Sequence, residues 1–242
     1  MTWESIIQEV RDFKKNNKNT WFRGQSDPTW ELKSSLFRQK FKNLNQFRAN
    51  ERTRYNLFKN LGHIHHKESD WNLVYIMQHH GVKTRLLDWT ESFATALFFA
   101  ANNWTNNSPL TIWMLNPIEL NFKTLEKHVF YRTNDRSYED LIVSSSTNGF
   151  KDNSVALHPL RNNQRIVAQQ GVFTIQGNTL DSLDNEFNGD LITEGILKRI
   201  NIDVKLKEDV SSFLDLAGMH PFSIYPDLEG LAKYINIRTD LK

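Results

Sequence analysis

Residues 78–92 read Gln-His-His-Gly-Val-Lys-Thr-Arg-Leu-Leu-Asp-Trp-Thr-Glu-Ser, a run that concentrates polar and ionisable side chains between two expected helices. Arg85 and Asp88 stand three residues apart, close enough to pair across a loop, and arginine presents a planar fork of donors suited to a carboxylate or a phosphate. The same two residues could equally be an ion pair that only holds the loop. Thr90 and Glu91 sit where a following helix would begin. That is ordinary capping chemistry, but free amides at a helix start also attract anions. Two other places add candidates. Arg23 ends the aromatic run Thr-Trp-Phe-Arg-Gly, and Gln169-Gln170 is the one polar pair amid the alternating apolar residues of 165–175.

Other constellations carry less. His63, His65 and His66, with Glu68, Asp70, His79 and His80 nearby, offer imidazole and carboxylate for a metal. Their spacing matches no His-Glu-x-x-His or comparable motif, so the expected metal ligands are none. His79 and His80 would point to different sides of a helix end, which leaves at most one for a shared pocket. No phosphate-binding Gly-x-x-x-x-Gly-Lys-Ser/Thr, Gly-x-Gly-x-x-Gly or Gly-x-Ser-x-Gly occurs, which argues against P-loop NTPases, dinucleotide-binding dehydrogenases and α/β-hydrolases. With no cysteine there can be no disulfide, thiolate ligand or thiol nucleophile.

The elements that would position these residues follow from periodicity. Apolar residues at Trp3, Ile6, Ile7, Val10 and Phe13 mark one face of a helix over 3–13, with Thr2 as its cap. A polar turn follows, and the aromatic, β-favouring run 20–24 predicts a strand with Arg23 at its end. Helices are expected over 43–61 and over 70–80, the second capped by Ser69 and stopped at Gly81. Residues 90–103 are apolar almost all round, so a helix there must be buried on most sides and is the central core helix. Strands are expected at 110–115, 164–175 and 196–202, and an amphipathic helix over 204–217 that Gly218 can close. The Asn-rich run 102–107 is punctuation. The fold class is α+β: a single mixed domain, 1–242, with a buried central helix and short strands.

Composition agrees. Of 242 residues 39% are hydrophobic and 24% charged, with 7 Trp and 16 Phe to fill a core. The formal net charge of +2 does not announce a nucleic-acid binder, although residues 37–59 hold seven Lys and Arg against Glu51 alone. That run is a phosphate-contacting surface or simply a solvated helix face. No basic leader and no 18-residue apolar stretch is present, so the expectation is a cytoplasmic protein with no membrane partner.

Four blocks, residues 21–26 (Trp-Phe-Arg-Gly-Gln-Ser), 78–100, 169–173 (Gln-Gln-Gly-Val-Phe) and 225–232, resemble in type and order the signature segments of the FRG domain family. The likeness runs from about 21 to 234, giving an FRG core of 20–236 preceded by an N-terminal helix and turn, 1–19. His80, Lys83 and Phe93 stand where that family often has Tyr, Pro and Pro.

The order of blocks is also similar to that of ADP-ribosyltransferases, and this resemblance implies roles. Arg23 would anchor a phosphate or ribose of NAD, Ser92 would shape the nicotinamide pocket, and Gln170 would occupy the place of a late-strand Glu. A glutamine can hydrogen-bond there but cannot supply the charge that stabilises an oxocarbenium-like transition state. Arg23, Ser92 and Gln170 are thus the catalytic candidates, and Arg23, Gly24, His80, Arg85, Asp88 and Thr90 the residues expected to hold the nucleotide. The implied function is an NAD-binding ADP-ribosyltransferase or NAD glycohydrolase that acts on a protein or nucleic-acid acceptor as a toxin or phage-defence effector. Two other readings remain beside it: a non-enzymatic recognition domain for a phosphate-bearing ligand or a protein partner, and a metal-dependent nuclease built on the histidine cluster.

Overall fold

The first helix forms as its spacing dictates. In the computed structural model, which describes residues 1–102, 104, 108–133, 136–143, 149–161 and 163–240, α1 (Trp3–Asn16) turns Ile6, Val10 and Phe13 inward. Thr2 and Ser5 cap it reciprocally, each side chain accepting the other's backbone N–H.

The strands β1 (Trp21–Gln25), β2 (Leu86–Thr90), β3 (Leu110–Leu115), β4 (Tyr131–Arg132), β5 (Val155–His158), β6 (Gly171–Ile175) and β7 (Leu197–Ile202) join in one sheet of order β4-β5-β6-β2-β1-β3-β7. All neighbours are antiparallel except β4 and β5. The helices that follow α1 are α2 (Leu44–Gly62), α3 (Asp70–His79), α4 (Phe93–Ala101), α5 (Pro117–Leu125), α6 (Tyr138–Val143), α7 (Gln164–Ala168), α8 (Asp190–Thr193), α9 (Lys207–Leu216), α10 (Pro221–Ile224) and α11 (Leu228–Asp240).

Alternation along the strands divides the core between the two faces of the sheet. Phe22 on β1, Ile112 and Met114 on β3 and Ile200 on β7 pack under α1, α4 and α9. Trp21, Trp113 and Leu115 point the other way, toward Leu120 of α5 and Trp89 and Val172 of the neighbouring strands. β3 is buried at all six positions because it has cover on both sides. A third cluster, with Tyr55, Trp71, Tyr75 and Tyr138, binds α2, α3 and α6 to Phe173 of β6.

Two departures from the sequence reading shape the site. Residues 86–90, expected as part of a loop between helices, are strand β2: Leu86, Leu87, Trp89 and Thr90 are buried between sheet neighbours and only Asp88 faces out. The buried helix therefore starts at Phe93, not 90; its expected end, Asn103, lies outside the described residues, as do 105–107 of the Asn-rich run. The expected strand 164–175 is two elements. Asn163 caps the helix α7 by accepting the Ile166 N–H, and β6 begins only after a turn in which Gln170 takes a left-handed φ of +47°. Among the described residues no helix is long and apolar enough to cross a membrane.

Candidate functional site

The sheet is not uniformly closed. β1 pairs with β3 at five positions and β2 pairs with β6 at five, but β1 and β2 meet at one pair, Phe22 with Thr90. Beyond that pair the two strands part, and a cleft of about 340 Å³ opens between them. Its walls come from β1, β2, α3, α4, α7 and the start of β6.

The three residues Phe22-Arg23-Gly24 divide the work by strand alternation. Phe22 is fully buried under α4, edge-on to Phe93. Gly24 lies against α4 so closely that a Cβ would stand 1.9 Å from the Ala96 carbonyl oxygen, which is why the position takes no side chain. Arg23, in the middle of β1 and not at its end, reaches across the gap. Its Nη1 donates to the Asp88 carbonyl at 2.6 Å and lies 3.9 Å from the Asp88 carboxylate, so a side chain replaces the missing strand ladder.

Arg23 is under-satisfied. Its side chain is 15% exposed, and its Nε is buried without a hydrogen-bond partner. Burial pulls the guanidinium pKa below its usual value, Asp88 opposes that, and the nearby Arg38 adds to it. Arginine nonetheless stays protonated at neutral pH. Gln78 holds Asp88 from the other side, its Nε2 donating to Oδ1 at 2.6 Å while its Oε1 accepts from the Thr84 hydroxyl. The Asp88 side chain remains 64% exposed.

Thr90 lines the cleft, but its hydroxyl is occupied, donating to the Gln169 carbonyl and accepting from the Ser92 amide. Gln169 also lines the cleft and donates to the Ile224 carbonyl at 3.2 Å, tying α10 to the wall. Arg165 lies over the Tyr225 ring at 4.7 Å. That tyrosine belongs to the block 225–232, where Asp227 accepts the Gly230 amide and Gly230 leaves no room for a Cβ against the Tyr225 carbonyl.

Of the residues nominated from sequence, the structure brings Arg23, Gly24, Asp88 and Thr90 together and leaves four others outside the cleft lining. Ser92 is the N-cap of α4, its Oγ accepting from the Thr95 amide. His80 is the exposed C-cap of α3, edge-on to His79. Gln170 is exposed in its turn, and Gln169 is the member of the pair that faces inward. The expected pair of Arg85 with Asp88 does not form. Extended chain puts residues three apart on opposite sides, and Arg85 instead makes a bidentate pair with Glu51, with Phe47 and Phe150 on its faces.

Sequence reasoning did not single out Gln78 or Arg165, and it named the wrong member of the Gln169-Gln170 pair. Gln78 was legible in principle, as the residue that opens the polar run. In the histidine run, His66 stacks on Phe58, and among the described residues no group of three or more His, Cys, Asp or Glu could hold a metal ion.

The fold and site define an α+β domain whose sheet opens on an arginine-anchored cleft. Residues 18–108 match the model of the FRG domain, and over that segment the chain is similar to it. The matched segment contains β1, the cleft side of α3, β2 and α4; the blocks at 169–173 and 225–232 lie beyond it. No curated protein and no solved structure gives a significant match.

Proposed function

We propose that the cleft between β1 and β2 binds a nucleotide through its phosphate, with NAD as the candidate ligand and Arg23 as the anion anchor. The observation that carries this reading is Arg23 itself, a largely buried guanidinium with one backbone acceptor, a distant carboxylate and an unpartnered Nε. A buried cation so poorly paired is costly in a purely structural role, and an incoming phosphate would supply the missing acceptors. Arg165 adds a second cation, the Nε2 groups of Gln78 and Gln169 each have a second N–H to offer a ribose hydroxyl beside the bond they make within the protein, and Phe99 gives an apolar wall for a base.

A second reading, cleavage of the bound NAD, is favoured by the exposed Asp88 carboxylate, the only acid among the cleft-lining residues. With Ser92 and Gln170 outside the cleft, Asp88 is the group able to stabilise positive charge developing at the ribose as the bond to nicotinamide breaks. Nicotinamide would leave with the bonding electrons, and water or an acceptor would add to the ribose carbon and lose a proton. Incubation with labelled NAD tests both readings. Binding that Arg23→Ala abolishes supports the first, and nicotinamide release that Asp88→Asn abolishes supports the second. A wild-type protein that binds no NAD, ADP-ribose or AMP overturns both. An effector role as toxin or defence component goes with the second reading and predicts growth arrest on expression of wild type but not of Arg23→Ala.

A further inference from the structure

A second recess, of about 170 Å³, lies beside the cleft, and the two share Arg23, Gln78 and Asp88 as a common wall. Its other polar lining residues are Arg38, Ser34 and Ser35. Arg38 is solvent-exposed but anchored: its Nε donates to the Lys33 carbonyl at 3.1 Å and its amide to the Ser34 carbonyl at 3.2 Å. The two terminal amino groups of its guanidinium are left for the recess.

The charge balance of this recess is positive. Asp88 is the one acid that lines it, and Asp88 already accepts from Gln78. Arg38 is near enough to Arg23 to lower its pKa, so the two guanidinium groups repel each other. The stretch that carries Arg38 has one acid of its own, Glu51, and the fold removes it from the surface by burying it on Arg85. An anion seated between Arg23 and Arg38 relieves the repulsion and satisfies donors on both.

Resting on the nucleotide reading of the cleft, we infer that the Arg38 recess is a second phosphate subsite. The ligand then spans the Arg23–Asp88 contact with two linked phosphates, which makes it a nucleoside diphosphate derivative or a dinucleotide and not a nucleoside monophosphate.

The test is calorimetric titration of the full chain with ADP-ribose and with AMP, for wild type, Arg38→Gln and Arg23→Gln. Wild type should prefer ADP-ribose, and Arg38→Gln should weaken ADP-ribose about tenfold while changing AMP less than about twofold. Arg23→Gln should weaken both. Thermal melts of Arg38→Gln should match wild type, since the side chain is at the surface. A wild type that binds AMP as tightly as ADP-ribose, or an Arg38→Gln protein that binds both as wild type does or loses both alike, overturns the subsite and leaves the cleft reading intact. A wild type that binds neither nucleotide overturns both.

Discussion

Arg85 and Glu51 form the most enclosed ion pair among the described residues, Nε and Nη2 donating to the two carboxylate oxygens at 2.6 Å each with both side chains at most 4% exposed. Tyr138 donates a third hydrogen bond to Glu51 at 2.9 Å, and Arg85 Nη1 donates to the Gln176 carbonyl at 3.0 Å. Such a pair is tolerated because its donors and acceptors are spent, and removal of one partner leaves the other buried and uncompensated. Glu51→Ala should therefore lose about 3–5 kcal/mol. Asp88→Ala, which removes an exposed carboxylate, should lose less than about 1 kcal/mol. Urea midpoints at constant m-value check both, and equal losses would contradict this division between structural and cleft-lining charge.

Gly24 is the position where the Phe22-Arg23-Gly24 segment meets the core. With 1.9 Å between an added Cβ and the Ala96 oxygen, Gly24→Ala forces α4 off β1, because the obstacle is helix backbone that cannot rotate away. The expected loss is about 3 kcal/mol or more, seen as a lowered melting temperature or an insoluble product. Gly81 gives the contrast, as its φ of +80° is strained for other residues but its Cβ would meet open space. Gly81→Ala should lose only about 1 kcal/mol.

The fold was legible where one element explains its own sequence. The stripe of Trp3, Ile6, Val10 and Phe13, and the β-branched and aromatic run of β3, need no knowledge of their neighbours. What was not legible depends on partners distant in the chain. Residues 86–90 look like a loop because Asp88 interrupts the apolar run, yet flanking by β1 and β6 makes them a strand, and that change of geometry exchanges the partners of Arg85 and Asp88. The signal for the true partner was present: Glu51 stands four residues after Phe47 and four before Tyr55, on the face that α2 buries. An isolated acid on an apolar helix face asks for a buried cation. For the cleft, Arg23, Gly24, Asp88 and Thr90 could be named from motif and residue type alone, whereas Arg165 and Gln169 belong to it only because α7 and β6 come alongside β2.

Arg23 should be expendable for stability while essential for binding. Its Nε is buried without a partner and its one close bond is to a main-chain carbonyl, so Arg23→Met trades a poorly satisfied charge for an apolar side chain. Stability should stay within about 1 kcal/mol of wild type or rise, with nucleotide binding lost. A loss above about 2 kcal/mol would mark the arginine as a structural residue and weaken its assignment as an anion anchor.

Glu186 should make stability fall across mildly acidic to neutral pH. It is buried and accepts hydrogen bonds from the Ser154 amide at 2.7 Å and hydroxyl at 2.6 Å. Burial, aided by Asp181 and Asp184, pushes its carboxyl up to about 7 from the usual 4.5, against the pull of the Ser154 bonds. Between those values the unfolded chain has released a proton that the folded chain keeps. The contribution is therefore full below about 4.5 and is lost as pH rises through 7. In Glu186→Gln the amide can accept from the Ser154 N–H and donate to its hydroxyl. That variant should match wild type near pH 4.5 and exceed it by up to about 3 kcal/mol above pH 7. Midpoints of denaturation at the two ends of the window decide it, and a wild type that gains on the variant as pH rises would show the ionised form to be the favoured one.

Gln169 and Gln170 are neighbours with opposite situations, and the difference is measurable. Gln169 lines the cleft between the Thr90 contact and α10, whereas Gln170 is exposed, holds a φ of +47° and serves through its carbonyl, which accepts the Glu91 amide. Gln169→Ala should weaken nucleotide binding about tenfold, since it removes a cleft-lining amide and the bond by which that amide ties α10 to the wall. Gln170→Glu should change neither binding nor nicotinamide release, because a carboxylate there points into solvent. Gln170→Gly should raise stability by about 1 kcal/mol, as glycine adopts a left-handed φ without the steric penalty of a side chain. Titrations of the first two variants and a melt of the third suffice. Increased nicotinamide release by Gln170→Glu would mean that the turn before β6 rearranges to bring residue 170 into the cleft when ligand binds.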